Sequence, residues 1–525
     1  MRNSNIFKYI FAAVVVVLII YTIFVITQNK KDEEAKSLDQ TSTVSNIQTD
    51  LRLAIAGLDT INPITTNNRN VQDITKIIYD PLITLNEHYK LEYCLAEEIA
   101  KNDDYNYTVK LRKGVLWEDK SALTANDVIF TIDRIKSLNC IYSENLRHVI
   151  DLQYIDSNTL KIVLDQPVDF FEYNLTFPIM CEKYYEGEDF ASSGKVPIGT
   201  GMFRISEISD NVIKLVPNPY YWNTERKPMA TEISINLYGT IGEVYSAFKN
   251  GELDILSVKI SDIETYIGNL GYNRVEYKSR DYDFLTINTQ HELLSDVNVR
   301  KALSLFIDKN NVVAGLGPGY VVSNFSLDMG NWLYTKNLNV ETNVDLASQI
   351  LEQDGWVYNN VWQKNIEGRN RRLEFSISVN EENLERVRAV ENIKEQLANY
   401  GINVTIKYLS RNAYIDAINN KNYEVILTGI TLGFNPSLRT FFGNDNIANY
   451  YNQEMLDLMN EASNTTDENV LYNNYNRIYD IYLDEVPYIG LYRNTDIIVS
   501  NQGLVSNLTA NSFNIYHNIE KWYRQ

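Results

Sequence analysis

Cysteine and histidine are rare in this sequence, and their scarcity excludes several kinds of site. The three cysteines, Cys94, Cys140 and Cys181, show no CxxC spacing. A disulfide framework is therefore not indicated and buried free thiols are expected, although one pair could still form a bridge. The four histidines show neither HExxH nor HxH spacing, so we expect no cofactor and no metal site built from a local motif. A site assembled from distant histidines by the fold stays open.

Catalytic motifs are missing as well. The sequence contains no GxSxG element, no P-loop and no paired acidic motif on a recognisable scaffold. The segment GLGPGY at residues 315–320 has glycines at alternate positions. It follows a predicted helix and contains a proline, which favours an ordinary loop over a nucleotide-binding one. Since no pattern supplies a nucleophile with its base, we predict that the protein is not an enzyme.

Positive charge is in short supply relative to negative charge. The chain has 48 Lys and Arg against 68 Asp and Glu, a formal net charge of −20 at pH 7. Because phosphate binding needs cationic side chains that displace counterions, this balance argues against nucleic acid or anionic lipid as a partner. Proline and glycine are also few, at 11 and 23 residues in a 525-residue chain that is 44% hydrophobic. Such a chain can bury large cores, and its length predicts two or three domains.

The stretch LTANDVIFTIDRI at residues 123–135 gathers polar side chains that could form a catalytic cluster or the start of a helix. Thr124 is a good N-cap residue, and Asp127 lies three positions later, where its carboxylate can reach back to the cap. Apolar residues follow at helical spacing, and no histidine or cysteine accompanies them. The pattern therefore predicts the first turn of a helix.

One long apolar run, residues 9–26, contains no charged side chain. At about 1.5 Å per residue it reaches roughly 27 Å, enough to cross the hydrocarbon core of a bilayer. No AxA-like cleavage pattern follows it, and no cysteine for lipid attachment occurs before Cys94. We therefore favour an uncleaved transmembrane anchor over a removed signal peptide. Residues 1–8 would form a cytoplasmic N-terminus, and the polar residues 27–49 a flexible tether.

Residues 373–430 alternate between strand-like and helix-like patterns. LEFSISVN, INVTIKYL and YEVILTGI predict strands with helices between them. This βαβαβ order predicts a parallel sheet with right-handed connections, in which ligands bind beyond the carboxyl ends of the strands. Those ends, together with the end of the strand predicted near residue 51, are the loops at 58–70, 380–383 and 431–438.

The remaining segments give weaker signals. DFLTINT at residues 283–289 predicts a strand, and DENVLYNNYNRIYDIYLDEVP predicts a helix that stops at Pro487. The last segment, residues 488–525, returns to short strand-like runs that could pair back with the N-terminal half.

Several segments occur together in a characteristic order. They are YDPLITLNE at 79–87, the block from LAEEIAKNDD to TIDRI at 95–135, VNVRKALSLFIDK at 297–309 and IYLDEVPYIGLY at 481–492. With these segments, the chain from about residue 50 onward resembles the extracellular solute-binding proteins of family 5. These are the oligopeptide-, dipeptide- and nickel-type receptors of ABC importers. The 95–135 block in combination with VRKALSLFIDK is highly specific for them.

The resemblance implies an α/β fold of the periplasmic-binding-protein type, a two-lobed type II clamshell with an extra subdomain, here following an N-terminal transmembrane helix. The first lobe would combine residues 50–280 and 488–525, with a subdomain inserted at about 86–196, and the second would span 281–487. A small solute, in the first place a peptide held by its backbone like an added strand, would be captured between the lobes. The globular part would lie outside the cytoplasm, act as a monomer and deliver the solute to an ABC permease.

By position, the resemblance assigns ligand contacts to loops at the strand ends. The predicted ligand-binding residues are Asn67, Asn68, Arg69, Trp332, Asn380, Leu432, Phe434 and Asn435. Peptide-binding proteins that this chain resembles usually have an aspartate at the position of Leu432, where it pairs with the peptide's α-ammonium group. A leucine cannot form this ion pair, so either the amine is held elsewhere or the ligand is not a free-amino peptide.

Two other functions are compatible with the same patterns. The clamshell could act as a membrane-anchored sensor that reports its ligand to a membrane partner without import. It could also hide a hydrolase in its cleft. Loss of a permease would abolish uptake only for an importer receptor, and turnover of a bound peptide would reveal the hydrolase.

Overall fold

The computed structural model describes residues 50–524, apart from residues 139, 191–193, 261–270, 337, 339 and 507. The predicted cytoplasmic N-terminus, anchor and tether, residues 1–49, lie outside the described residues. Across the described part of the chain, no helix has both the length and the apolar character needed to cross a bilayer.

Helices and strands occur along the whole described chain. The α-helices are α1 (Arg69–Thr75), α2 (Ala125–Ser137), α3 (Glu182–Tyr185), α4 (Ile241–Lys249), α5 (Val297–Phe306), α6 (Lys309–Leu316), α7 (Val344–Gln353), α8 (Leu384–Asn399), α9 (Arg411–Asn419), α10 (Arg439–Phe442), α11 (Gln453–Ser463) and α12 (Glu468–Glu485). The first strands are β1 (Asp50–Ala56), β2 (Ile83–Leu85), β3 (Leu91–Tyr93), β4 (Ala96–Lys101), β5 (Asn106–Leu111), β6 (Val149–Asp156), β7 (Thr159–Leu164), β8 (Phe203–Ile208), β9 (Val212–Pro217), β10 (Glu232–Tyr238) and β11 (Ile255–Lys259). The later strands are β12 (Tyr272–Ile287), β13 (Tyr320–Val322), β14 (Val357–Asn359), β15 (Val361–Ile366), β16 (Arg369–Arg372), β17 (Glu374–Asn380), β18 (Asn403–Leu409), β19 (Val425–Thr431), β20 (Tyr488–Asn501), β21 (Leu504–Val505) and β22 (Tyr523–Arg524).

The N-terminal half is built on two four-stranded sheets. One has the strand order β1-β10-β9-β8, with β1 parallel to β10. The other has the order β4-β5-β7-β6, is antiparallel, and packs against α2. Alternate residues of β1, among them Leu51 and Leu53, enter a core that also contains Trp117. Trp522 lies in this core as well, so the end of the chain returns to the N-terminal half.

The C-terminal half contains the predicted βαβαβ unit. β17, α8, β18, α9 and β19 follow one another, and β17 is parallel to both β18 and β19. The α8 helix buries Ala389, Val390, Ile393 and Leu397. It ends just before Gly401, whose φ of +75° lies in the left-handed region that favours glycine. The predicted parallel arrangement is confirmed.

Two long antiparallel strands join the halves. β12 has 16 residues and β20 has 14, and they pair with each other inside the sheet β11-β20-β12-β19-β17-β18, to which β13 adds beside β20. One end of the pair buries Tyr277 and Ile498 in the N-terminal core. The other end buries Leu285 and Leu491 in the C-terminal core. We call this pair the crossing strands.

The crossing strands are longer than the sequence predicts. β12 begins at Tyr272 instead of residue 283, and β20 is one continuous strand instead of several short runs. Charged residues in their middle, including Arg280 and Arg493, break the apolar alternation that identifies a strand. Each crossing strand is nevertheless continuous, because its backbone pairs with strands that are distant in the sequence.

Arg493 lies where the register of the crossing strands shifts, and its side chain is 0% exposed. Its Nε donates to Asp328 Oδ1 at 3.0 Å. Its other nitrogens donate to backbone carbonyls at 279–280 and 325–326. The guanidinium also lies 4.7 Å from the ring centroid of Tyr282. This one side chain therefore fastens both crossing strands to the segment around Asp328.

Replacing Arg493 with alanine should lower the free energy of unfolding by about 3–5 kcal/mol, because Asp328 would stay buried with only the partly exposed Lys278, 3.5 Å from its Oδ2, as a counter-charge. Arg493→Lys should recover only part of this loss, since an ammonium group cannot reproduce the planar fork of donors. Urea denaturation measures both variants. The control is Arg369→Gln, exposed on β16, which should change stability by less than about 0.5 kcal/mol. A loss below about 1 kcal/mol for Arg493→Ala would contradict this role.

The polar stretch before α2 is a helix start, as predicted. The Thr124 backbone N donates to Asp127 Oδ2 at 2.8 Å, and the threonine hydroxyl donates to the same oxygen at 3.1 Å. Asp127 Oδ1 accepts a further hydrogen bond from the backbone N of Glu182 at 2.8 Å. Burial raises the pKa of Asp127. The carboxylate thus caps α2 and ties it to α3.

Asp127→Ala should lower the free energy of unfolding by about 1–3 kcal/mol, because two backbone N–H groups and a hydroxyl lose their acceptor. Asp133→Ala is the matched control, since Asp133 lies exposed on the same helix. Its effect should stay within about 0.5 kcal/mol. Equal urea midpoints for the two variants would show that the cap contributes nothing.

Candidate functional site

A cavity of about 480 Å³ lies beside the crossing strands, where the two halves meet. β12 contributes Ser279, Arg280 and Asp281 to its wall, and β20 contributes Asn494, Thr495 and Asp496. The other lining residues are Arg69, Lys259, Ile260, Leu316, Pro318, Gly319, Tyr320, Glu385, Arg388, Thr431 and Ser512. Pockets for small ligands have volumes of about 300–1,000 Å³, so this cavity has the size of a ligand site.

Arg280 is a half-buried cation in the β12 wall. Its Nη1 donates to the backbone oxygen of Leu432 at 3.1 Å, and its Cζ lies 4.6 Å from the ring centroid of Phe434. A guanidinium carries five N–H donors. Among the residues that the structure describes, no carboxylate comes within ion-pair distance of Arg280, so most of these donors have no protein acceptor.

Arg69 brings a second cation to the same cavity. It is the first residue of α1, and its exposed side chain lies 3.9 Å from Asp73 Oδ2. The pKa of Arg280 is lowered, chiefly by burial and also by the positive charge of Arg69. Two guanidinium groups that repel each other across a cavity favour an anionic group between them.

Two carboxylates belong to the same wall. Asp281 accepts a hydrogen bond from Thr431 Oγ1 at 2.6 Å. Burial raises the pKa of Asp496, an effect that the charge of Arg69 opposes and that Asp281 reinforces. Within the described structure, neither carboxylate forms an ion pair with Arg69 or Arg280. The cavity therefore presents arginines and aspartates that do not neutralise each other by direct contact. Such a wall suits a ligand with charged ends.

Two predicted site residues, Leu432 and Phe434, lie against Arg280. The backbone N of Leu432 donates to Arg280 O at 3.0 Å, so these two residues exchange hydrogen bonds in both directions. The Phe434 ring stacks 6.0 Å from Tyr89 and meets Phe513 edge-on at 5.0 Å. These two residues and Arg69, which lines the cavity, are the predicted contacts that the fold brings together. Their contact with ligand stays a prediction.

Asn67 and Asn68 hold the loop before α1. The Asn68 side chain accepts a hydrogen bond from the Asn70 backbone N at 2.9 Å, and its amide nitrogen donates to the carbonyls at 56–57 at 2.7 and 2.9 Å. The backbone N of Asn67 donates to Asp59 Oδ2 at 2.8 Å. Neither asparagine lines the cavity. Sequence alone could not separate a helix cap from a ligand contact here, because both uses need the same amide.

Asn380 and Asn435 also bond to nearby backbone. The side-chain oxygen of Asn380 accepts from the backbone N of Glu382 at 3.1 Å, and that of Asn435 accepts from Ser437 N at 3.3 Å. Neither lines the cavity, whereas Glu385 on the following helix does. The strand-end rule thus pointed to the end of β17 that lies near this cavity, whereas the ligand contact of Asn380 stays a prediction.

Trp332 lies in an aromatic cluster away from the cavity wall. Its Nε1 donates to Tyr173 Oη at 3.2 Å, and its ring meets Tyr472 edge-on at 5.6 Å. Lys90 Nζ lies 5.1 Å from the ring centroid. The tryptophan therefore joins the segment around Tyr173 to α12.

Sequence reasoning missed Arg280, Asp281 and Asp496, which lie within strands and not at their ends. The available signal was the charged run SRDYD directly before the apolar residues of β12. The GLGPGY segment is the loop between α6 and β13, as predicted, and Gly317 and Gly319 have φ of +99° and +93°. The structure adds that this loop lines the cavity.

The described residues give no support for a metal site. Among the described residues, no three His, Cys, Asp or Glu side chains are grouped as a metal site requires. Cys94, Cys140 and Cys181 are free thiols. Burial raises the pKa of Cys181 to about 12, which keeps this thiol protonated and unreactive at neutral pH.

Comparison with known proteins gives a consistent set of relatives. The profile of the bacterial extracellular solute-binding proteins, family 5 Middle, matches residues 90–449. The chain is 25% identical over 481 residues to the oligopeptide-binding protein AppA of Bacillus subtilis, covering 86% of this chain and 87% of that protein. It is 23% identical over 476 residues to the periplasmic murein peptide-binding protein MppA of Escherichia coli, covering 81% and 83%.

Solved structures show the same fold. The unliganded open form of the murein tripeptide binding protein MppA matches with a TM-score of 0.77 at 18% identity, over 91% of this chain and 97% of that one. A nickel ABC transporter structure from Bacillus halodurans matches with a TM-score of 0.76 at 19% identity, over 91% and 100%. The relatives are substrate-binding receptors of ABC transporters and not enzymes, as the sequence predicts. The chain therefore has the two-lobed α/β solute-binding fold and belongs to the bacterial extracellular solute-binding proteins of family 5.

Proposed function

We propose that this protein is a membrane-tethered, extracytoplasmic receptor that captures a peptide between its lobes and passes it to an ABC permease. The observation that carries the proposal is the cavity beside the crossing strands, whose wall combines both halves of the fold and charges of both signs. A peptide offers both signs at its two ends. The permease would supply the energy of transport, and this chain would only bind.

The proposed lobes are residues 50–280 with 488–525, and residues 281–487, with a subdomain inserted at about 86–196. The crossing strands pass between them and change register at Arg493. A register shift interrupts the hydrogen-bond ladder and lets a strand bend, which suits a hinge. We therefore place the flexing point of β20 near Arg493, a few residues beyond the predicted boundary.

Contacts between the proposed lobes also lie outside the cavity. Lys90 Nζ lies 2.6 Å from Glu468 Oε1, and Arg439 Nε lies 2.6 Å from Asp169 Oδ2. Ion pairs with solvent-exposed members are typically worth less than about 1 kcal/mol each. They can form and break as the lobes close and open, which a receptor that must release its cargo requires.

The chemistry of the cavity favours a peptide over a metal. AppA and MppA are named as peptide-binding proteins, whereas a nickel transporter shares the fold, so the fold alone does not specify the solute. The wall of this cavity offers arginine and aspartate side chains, and the described residues include no metal-ligand cluster. Guanidinium and carboxylate groups suit the two termini of a peptide.

Native mass spectrometry of the full-length chain, purified in mild detergent, tests the proposal directly. We expect a short peptide to copurify at one copy per chain, because binding proteins retain ligand through lobe closure. The peptide should stay intact during long incubation. Copurification of a solute that is not a peptide would contradict the proposed substrate class, and accumulation of peptide fragments would contradict a purely binding function.

Leu432→Asp introduces the carboxylate that the resemblance predicts at this position. If the ligand's amine lies at this end of the site, the variant should bind free-amino peptides more tightly than their N-acetylated forms by at least about tenfold, because only the free amine can form the new ion pair. Leu432→Asn is the control of equal shape without charge. If isothermal titration shows no gain in this preference, the interpretation of Leu432 as a lost ammonium site is wrong.

A further inference from the structure

The most unusual group in the cavity is the Arg280 guanidinium, which is half-buried but lacks a carboxylate partner among the described residues. We propose that Arg280, with Arg69 in the lining of the same cavity, receives the carboxylate of the ligand at the end of the site next to Leu432. The ligand class is then a peptide with a free C-terminal carboxylate. Binding at the end of the site next to Leu432 would not need a free amine. This inference rests on the proposed peptide-receptor function.

The donor count of Arg280 gives the first argument. One nitrogen bonds the Leu432 carbonyl at 3.1 Å, and Phe434 covers a face of the guanidinium at 4.6 Å. A carbonyl and an aromatic face orient the group without neutralising its charge. Burial of a cation is costly unless an anion pairs with it, and the planar fork of arginine fits a carboxylate in bidentate geometry.

The second argument is the position of Arg69. It comes from α1 and lines the same cavity as Arg280, and its charge contributes to the lowered pKa of Arg280. A carboxylate bound between the two guanidinium groups would turn this repulsion into two attractions.

The third argument concerns the polarity of the site. At this position the resemblance predicts an aspartate that takes an ammonium group, and the chain has Leu432 instead, with its carbonyl bound to Arg280. With leucine in place of the aspartate, the charged side chain in contact with this position is the Arg280 guanidinium. Asp281, which accepts a hydrogen bond from Thr431, and Asp496 line the same cavity and can pair with the positive group of a ligand.

An alternative is that the two arginines only balance Asp281 and Asp496. In that case direct ion pairs would be expected, as Arg493 and Asp328 form at 3.0 Å a short distance along β20. Within the described structure no such pair links Arg69 or Arg280 to either aspartate. If the arginines only balanced the aspartates, replacing Arg280 would not change the preference for a free over an amidated C-terminus. This difference allows an experiment to separate the two roles.

The test uses the full-length chain and one degenerate tripeptide library synthesised in three forms: with free ends, N-acetylated, and C-amidated. Bound peptides are quantified by mass spectrometry, and pooled affinities by competition. We expect N-acetylation to change affinity by less than about threefold and C-amidation to weaken it by at least about tenfold, since amidation removes the anion.

Two substitutions then assign the effect to named residues. Arg280→Gln should reduce the amidation penalty to within about twofold, and Arg69→Gln should reduce it in part. Arg280→Lys, which keeps the charge but not the fork, should retain a weakened preference for the free carboxylate. The matched control is Arg274→Gln, an exposed arginine on the same strand, which should keep the full penalty. Circular dichroism of each variant confirms that it is folded.

Each other outcome has a distinct meaning. If acetylation abolishes binding and amidation does not matter, the ligand's amine occupies this end and the inference is wrong, while the receptor function stands. If Arg280→Gln folds and keeps the full amidation penalty, another group binds the carboxylate and the inference is equally wrong. If none of the three library forms binds, the proposed peptide-receptor function fails, and the inference fails with it.

Discussion

The arrangement of this protein depends on a single buried ion pair, between Arg493 and Asp328 at 3.0 Å. The arginine is completely enclosed, and its donors are used by the aspartate and by backbone carbonyls of β12 and the segment at 325–326. Buried pairs of this kind are expensive to break because the partner is left charged in a medium that cannot solvate it. The pair fixes the register of the crossing strands, and therefore the positions of the charged residues that they present to the cavity.

Two arginines on neighbouring strands show how the same residue type serves different purposes. Arg493 Nη1 donates to the backbone oxygen of Arg280 at 3.4 Å, so the two residues are in direct contact. The protein satisfies Arg493 completely, whereas Arg280 has one acceptor and an aromatic face. The first arrangement is that of a structural residue. The second leaves binding capacity available on the wall of a cavity, where a ligand can complete it.

The local parts of the fold were predictable from the sequence. The capping pattern of Thr124 and Asp127 and the βαβαβ succession depend on residues a few positions apart, and both are confirmed. The site was predictable only in part. The strand-end rule led to the loops at 58–70 and 431–438, and within them the resemblance led to Arg69, Leu432 and Phe434, of which the last two contact Arg280 without revealing it. The side chains of Asn68, Asn380 and Asn435 bond to the nearby backbone, and Trp332 bonds to an aromatic neighbour, because loop amides and indoles serve local structure as readily as ligands. Asn67 bonds through its backbone N to the Asp59 carboxylate.

By itself, the sequence determined the start of α2, the parallel βαβαβ unit and the absence of recognisable catalytic motifs, because these depend on periodicity, capping and short motifs. The order of its segments pointed to the family, and that resemblance implied the two-lobed fold. Only the tertiary structure decided which charges are buried, which are paired and which face a cavity. Arg493 and its partner Asp328 are 165 positions apart, and Arg280 and its acceptor at Leu432 are 152 apart. Such distant partners decide whether a charged residue stabilises a strand or is left available to bind a ligand. The reason is that the free energy of a buried charge is set by its surroundings in space.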